Sequence, residues 1–338
     1  MNPILAAAEV DVLILTHSQV RELLPMRECM DAVAEALADL ARGRGSQPLR
    51  SEIVLPDRQG VLAWMPGSLA SGKPFGIKIL SVLDGAAKMG LDSHQGGVMI
   101  FDPESGSPLA LLEAGAITAV RTAAVSALAT ERLARKDAAT LAVLGAGTQA
   151  RSHIEAMLEV RSFGTIRIWG RDPKAVERVI SEQAARHGVR FEASADVRSA
   201  VAGADVVCTT TSARKPILFG DMLEEGMHIN AVGASVPSWL EIDPGVASRA
   251  TLFTDRRESL ENEAGEYRRA LERGVIDGDH LRAEIGEVLI GGHPGRTSED
   301  EITLFRSLGL AVEDIAAGRL VYERALERGI GIEVDLAG

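Results

Sequence analysis

From Ala138 onward the chain alternates short, largely apolar runs with longer stretches in which apolar residues recur at helical spacing. The runs are Thr140 to Leu144, Ile166 to Trp169, Val206 to Thr210, His228 to Val232 and Thr251 to Thr254. Strands buried on both faces read in this continuous way, whereas half-exposed strands alternate. Strand and helix in repeated succession predict a Rossmann-type doubly wound parallel sheet. The N-terminal third is built differently. Pro25 to Ala41 has helical spacing, and Glu52 to Leu55, Gly60 to Met65, Phe75 to Val82 and Gly97 to Phe101 read as strands divided by Pro, Gly, Asp and Ser. A last periodic stretch, Glu301 to Glu327, predicts one helix lying beyond the parallel sheet and returning to the first domain. The expected organisation is a discontinuous α+β domain, residues 1–118 with 306–338, around a nucleotide-binding domain, residues 119–305.

The most informative turn follows the first of the parallel strands. Ala139 to Ala150 reads A-T-L-A-V-L-G-A-G-T-Q-A, an apolar strand, a glycine turn and the start of a helix. Gly145 permits the tight turn, Gly147 lets backbone approach a pyrophosphate, and Ala150 leaves room for close helix packing. The first N–H groups of the helix, from Thr148 and Gln149, then face the phosphates. An NAD site usually places a carboxylate at the end of the next strand, about 20 residues past the glycines, to accept from the ribose hydroxyls. Here Gly170 and Arg171 occupy that place. A guanidinium can bind a 2′-phosphate bidentately, so NADP(H) is preferred, with NAD(H) possible. Asp172, ahead of Pro173, is expected to cap the helix Pro173 to Gln183.

Composition narrows the class. At 338 residues, 46% hydrophobic and 25% charged, the chain can bury two ordinary cores. A net charge of −12 argues against a nucleic-acid surface. Two cysteines, Cys29 and Cys208, make no disulfide framework and suit a reducing compartment. The apolar run Val12 to Leu15 near the N-terminus is far too short for a signal or membrane segment. A cytoplasmic protein without membrane association is expected, and no metal site.

Two cations stand in unusual places. Ala116 to Thr130 is a helix apolar nearly all round, hence buried, with Arg121 its one charged residue. On the strand Phe75 to Val82, period-two alternation puts Lys78 on the face of Leu80 and Val82. Buried cations need partners. A small substrate carboxylate would serve both, with Arg50 as a third cation; pairing with structural acids such as Asp84 or Glu113 is the alternative.

Several segments resemble the ornithine cyclodeaminase/mu-crystallin family: S-H-Q at Ser93 to Gln95, A-I-T-A-V-R-T-A-A-V-S-A at Ala116 to Ala127, L-G-A-G-T-Q-A-R-S-H at Leu144 to His153, I-N-A-V-G-A-S at Ile229 to Ser235, and G-R-T-S-E-D-E-I-T-L-F at Gly295 to Phe305. The resemblance spans essentially the whole chain. It implies a homodimer built through the non-nucleotide domain, a substrate carboxylate held at Arg50, Lys78 and Arg121, and His94 and Gln95 near the nicotinamide end of the cofactor. Thr122, Thr148, Gln149, Thr210 and Val232 join Gly145, Gly147 and Arg171 as expected cofactor contacts.

Departures from the family pattern choose among its members. The resemblance gives cyclodeaminases an Asp where this chain has Ser235 and a Glu where it has Ala63. Without those carboxylates the proton acceptor for repeated oxidation and ammonia release is missing. G-A-S-x-P-x-W-x-E, Gly233 to Glu241, is similar instead to mu-crystallin. The expected activity is NAD(P)H-dependent reduction of a ketimine C=N bond next to a carboxylate, on a small imino acid. Ser235 is expected to order a water or the imine nitrogen, and Lys78 or a water to supply the last proton. The alternatives are a cyclodeaminase-type lyase with recycled NAD and a non-catalytic binder of NADPH and a small molecule. Trp64, Met65 and Trp239 are expected to shape the substrate pocket.

Overall fold

The computed structural model describes residues 11–56, 60–83, 94–234 and 237–336. The chain divides into two compact units, Met1–Arg121 with Ala311–Gly338, and Thr122–Leu310. In chain order the first unit opens with β1 (Asp11–Leu15), α1 (His17–Leu23), α2 (Met26–Ala41), β2 (Ser51–Val54), β3 (Gly60–Ser68), β4 (Phe75–Leu83), β5 (His94–Phe101) and β6 (Pro108–Glu113). The helix α3 (Ala114–Leu133) continues through the division at Arg121. The second unit holds β7 (Thr140–Leu144), α4 (Thr148–Val160), β8 (Thr165–Trp169), α5 (Pro173–Ala184), β9 (Arg190–Ala193), α6 (Val197–Val201), β10 (Val206–Thr209) and β11 (His228–Ala231). It continues through α7 (Pro244–Arg249), β12 (Thr251–Thr254), α8 (Arg257–Glu263), α9 (Gly265–Glu272), β13 (Leu281–Glu284), α10 (Ile285–Leu289) and β14 (Thr303–Arg306). The chain then returns to the first unit as α11 (Ala311–Arg328) and β15 (Ile332–Asp335).

In the first unit a seven-stranded sheet runs β15-β1-β6-β5-β4-β3-β2. Its strands are antiparallel apart from the β1–β6 pair. Alternation along β3 and β4 sorts the side chains. Ala63, Met65, Lys78 and Leu80 are buried, and the register sets Ala63 opposite Leu80 and Met65 opposite Lys78. α11 packs on β3 to β6 and on α2. On the other face Ile53, Leu62, Phe75 and Ile79 remain exposed.

The second unit is an eight-stranded sheet, β13-β12-β14-β11-β10-β7-β8-β9, parallel throughout. Strand order reverses at β7 and β10, where open α/β sheets bind ligands beyond the carboxyl ends of their strands. The core lies on continuous apolar strands: Leu144, Val207, Ile229, Leu252 and Leu304 are all essentially inaccessible. Asp172 caps α5 by accepting from the Lys174 N–H at 3.0 Å.

One expectation fails here. The C-terminal helix does not begin at Glu301: Thr303–Arg306 is β14, inserted between β11 and β12 in the middle of the sheet, and the helix starts at Ala311. Gly309, at φ 80°, lies in the break between them. Arg306 hid the strand, because a buried strand ending in arginine lacks the apolar signature. Its charge is met inside by Glu266, which accepts from Nε. Among the described residues no helix is long and apolar enough to cross a membrane.

Candidate active site

In the first unit, β4, α3 and α11 bring four charges together out of water. Lys78 is 1% exposed and Arg121 4%, while Glu313 and Asp314 are fully buried. Asp314 Oδ1 accepts from Lys78 Nζ at 3.0 Å and from Arg121 Nε at 2.9 Å, and Glu313 Oε2 accepts from Arg121 Nη1 at 2.7 Å. The cations are thus paired with acids from the returning helix. Asp84 lies outside the described residues, and Glu113 serves elsewhere, capping α3 through the Gly115 and Ala116 N–H groups and meeting His17 Nδ1 at 2.8 Å.

The pairing leaves donor capacity. Among the described residues Lys78 Nζ donates to Asp314 alone, out of three protons, and nothing accepts from Arg121 Nη2. Burial pulls the Lys78 ammonium down; Asp314 opposes this, Arg121 and Arg50 reinforce it, and the result is a pKa of about 8. For Arg121 burial also favours the neutral form, but Asp314 and Glu313 outweigh it and hold the guanidinium firmly charged. Arg50 is half-buried just ahead of β2. His94 is in register with Val82 on β5, and Gln95 with Ser81. By strand alternation Gln95 falls on the face opposite Lys78, so the structure does not bring it to this cluster. Of the expected pocket-shaping residues, Met65 faces Lys78 in register, Trp64 pairs with Ile79 on the other face, and Trp239 carries the Arg214 guanidinium 5.2 Å from its ring centroid.

In the second unit the turn after β7 has the form a dinucleotide requires. Gly145 sits at φ 137°, and a Cβ there would stand 2.5 Å from Thr210 Oγ1 and 2.7 Å from its carbonyl oxygen. Only glycine fits. Gly147 is the opposite case, with no atom within 4 Å of where its Cβ would lie. It is also the N-cap of α4 and supplies no side-chain cap, so the first helical N–H groups are open to an anion. Thr148 is exposed and Gln149 half-buried in that first turn. Thr122 Oγ1 is buried without a hydrogen-bond partner among the described residues. These features fit a dinucleotide. Thr210 braces the turn from behind, its N–H and hydroxyl both directed to Leu144 O at 2.8 and 3.2 Å. Val232, just past β11, donates its N–H to Thr209 O at 3.1 Å. Beyond β8, a Cβ on Gly170 would stand 3.1 Å from both Ala146 Cβ and Val176 Cγ2, so an acid there would crowd the turn. Arg171 is exposed. Ser235 lies outside the described residues.

Three supporting residues escaped the sequence reading. Glu241 is buried, and its carboxylate accepts from Thr209 Oγ1 (2.6 Å), Thr211 N (2.6 Å), Thr211 Oγ1 (2.7 Å) and Gly233 N (2.7 Å), tying together the loops after β10 and β11. Burial raises its pKa against these four donors. Arg306 donates to the Ala231 and Ala234 carbonyls and fixes the second loop from its other side. His153 is fully buried and held neutral, its pKa lowered by burial to about 4. Its Nδ1 donates to Gln149 O at 2.8 Å, and its Nε2 accepts from Ser126 Oγ at 3.0 Å, fastening the first turn of α4 to α3. Glu241 and His153 each end a quoted motif and so carried an advance signal; Arg306 carried none.

The chain matches the ornithine cyclodeaminase/mu-crystallin family over residues 10–329 and belongs to it. It is 40% identical to the ketimine reductase mu-crystallin of Mus musculus over 291 residues, 85% of this chain and 89% of that one. Among solved structures, Thermococcus litoralis Δ1-pyrroline-2-carboxylate reductase in complex with NADH and L-proline is similar with a TM-score of 0.93 and 35% identity, over 96% of this chain and 100% of that one. An archaeal alanine dehydrogenase dimer with bound NAD is similar with a TM-score of 0.91 and 33% identity, over 96% and 99% of the respective chains.

Two expectations follow from the geometry. Arg121→Met leaves Glu313 and Asp314 buried without their guanidinium, so urea unfolding should show a loss of about 3–5 kcal/mol; a variant as stable as wild type would mean the acids do not depend on Arg121. Gly147→Ala should leave the melting temperature within a degree or two while weakening dinucleotide binding about tenfold or more, about 1.4 kcal/mol. Gly145→Ala should lose stability as well, because its Cβ meets backbone. Calorimetry and cofactor titration of both variants separate the two roles.

Proposed function

We propose that the chain is an NAD(P)H-dependent reductase of C=N bonds whose carbon carries a carboxylate, forming an amino acid or a cyclic imino acid. The observation that carries this reading is full-length likeness to proteins named for such imines, together with a buried cation pair that keeps unspent N–H donors. Gly145, Gly147 and the first turn of α4 would hold the pyrophosphate, and Thr122 would add a hydroxyl. The nicotinamide, when bound, supplies the hydride that ends on the imine carbon. Arg121 Nη2 and the free protons of Lys78, with Arg50 beside them, bind the substrate carboxylate and fix the carbon's position, a contribution of orientation. Lys78, with a pKa of about 8, holds a proton at neutral pH that it can pass to the imine nitrogen as the carbon accepts hydride. Ala63 is buried on the Lys78 face and brings no carboxylate there, which favours reduction over the cyclodeaminase reaction. His94 and Ser235 are proposed near the reacting end, and Gln95, on the other sheet face from Lys78, is proposed as a cofactor contact with Thr148, Gln149, Thr210 and Val232.

Exposed Arg171, with Gly170 in place of an acid, supports a preference for NADP(H). The likeness to a dimer, and the apolar stripe of Ile53, Leu62, Phe75 and Ile79 on one sheet face, support a homodimer through this face. Phe75 stacks on Phe101 there at 5.3 Å. Both cysteines are free and buried, which suits a cytoplasmic protein.

Incubated with NADPH, the protein should oxidise it in the presence of cyclic imine carboxylates or of a keto acid with an amine, and should release no ammonia from ornithine. Ammonia without net cofactor change would replace this reading with the lyase. NADPH should bind at least about tenfold tighter than NADH, and Arg171→Ala should remove most of that gap, since one charge-assisted pair is worth about 1.5–3 kcal/mol. Equal affinities in wild type would end the NADP assignment. Ile79→Glu with Leu62→Glu should turn a dimer into a monomer at micromolar concentration in sedimentation; a dimer that persists would place the interface elsewhere.

A further inference from the structure

Lys78 and Arg121 come from different elements, yet one atom serves both. Asp314 Oδ1 accepts from Lys78 Nζ and from Arg121 Nε, while Oδ2 of the same carboxylate is buried with no hydrogen-bond partner among the described residues. The shared oxygen sets the spacing of the two cations as a brace would. The groups around Lys78 are few. Asp314 and Glu313 come from α11, Arg121 from α3, Arg50 from the segment before β2, and Cys29 from α2 lies by the same acids with its thiol pushed up by burial. Of these, Asp314 is the one whose charge holds the proton on Lys78; Arg121 and Arg50 work against it.

We propose that Asp314 is the positioning residue of this site: through one oxygen it fixes Lys78 and Arg121 at the separation a substrate carboxylate needs, and it keeps Lys78 protonated. This deepens the imine-reductase reading and rests on it only for the substrate's identity. Glu313 accepts from Arg121 Nη1 and not from Lys78 Nζ, so it shares neither duty. The linkage has a definite sign. A protonated Lys78 is the active form, so kcat/KM falls as pH rises through its pKa. Removing the negative charge of Asp314 lowers that pKa and moves the fall to lower pH.

The test follows Lys78 directly, in the full chain without substrate or cofactor, by NMR of protein labelled with [13Cε]lysine, the resonance being identified by its loss in Lys78→Arg. Wild type should titrate near pH 8. Asp314→Asn should titrate about a pH unit lower or more, a tenfold change in the proton equilibrium, whereas Glu313→Gln should move it by no more than a few tenths. The alkaline limb of kcat/KM should move with the NMR midpoint. If Asp314→Asn does not fold, Asp314→Glu keeps the charge but adds a methylene in a wholly buried place. It should keep a midpoint near 8 and lose at least about tenfold in kcat/KM, mostly through KM. An Asp314→Asn midpoint equal to wild type, or an Asp314→Glu variant with wild-type kcat/KM, overturns the proposal. A normal Asp314 dependence of the titration in a protein that reduces no imine would instead sink the functional reading and leave the role of Asp314 in Lys78 protonation standing.

Discussion

The first unit depends on a requirement of charge: Lys78 and Arg121 leave water, and two acids must leave with them. An unpaired buried cation costs several kcal/mol, and a buried pair is tolerated only when its hydrogen bonds are well made. The acids reside on α11, more than 190 residues beyond Arg121 in the chain. The C-terminal helix must therefore return to the N-terminal sheet, and the unit is discontinuous for a physical reason. Among the described residues, the same groups that enforce this return leave Arg121 Nη2 and two Lys78 protons uncommitted. Structural pairing and ligand binding are not exclusive at this cluster, because a guanidinium and an ammonium carry more donors than two carboxylates consume.

The nucleotide-binding unit applies a related economy at a helix end. α4 begins at a glycine that offers no cap, and the next strand is followed by another where an added side chain would crowd Ala146 and Val176. Behind this open turn the structure is tightly fastened, by Thr210 to Leu144, by His153 to Ser126 and Gln149, and by Glu241 to the loops after β10 and β11. A site that must present bare backbone to a phosphate needs neighbours that prevent it from closing on itself.

What the sequence made legible follows from local physics. β7 was plain because Leu141 to Leu144 are apolar and entirely buried, and the glycine turn was plain because its backbone conformation admits few residue types. β14 was hidden by Arg306, whose neutralising partner Glu266 is 40 residues away and invisible to any local pattern. Glu313 and Asp314 were hidden for the same reason. Acids in the first turn of a helix favour its dipole and read as a solvated end, and only the fold turns that end inward. Short strands β9 and β13, four residues each and carrying arginine, gave too little periodicity to register. The burial of Lys78 and Arg121 was legible; their partners were not, since pairing is a tertiary fact.

The central claim is that hydride goes to a carbon next to a carboxylate, and isotope transfer tests it most directly. Given NADPH carrying deuterium at the nicotinamide C4 on both faces and an imine carboxylate in excess, the product should contain one deuterium at its α-carbon, seen by proton NMR as loss of that signal. A product with only protium at the α-carbon, or unreacted imine alongside intact labelled cofactor, would contradict the account.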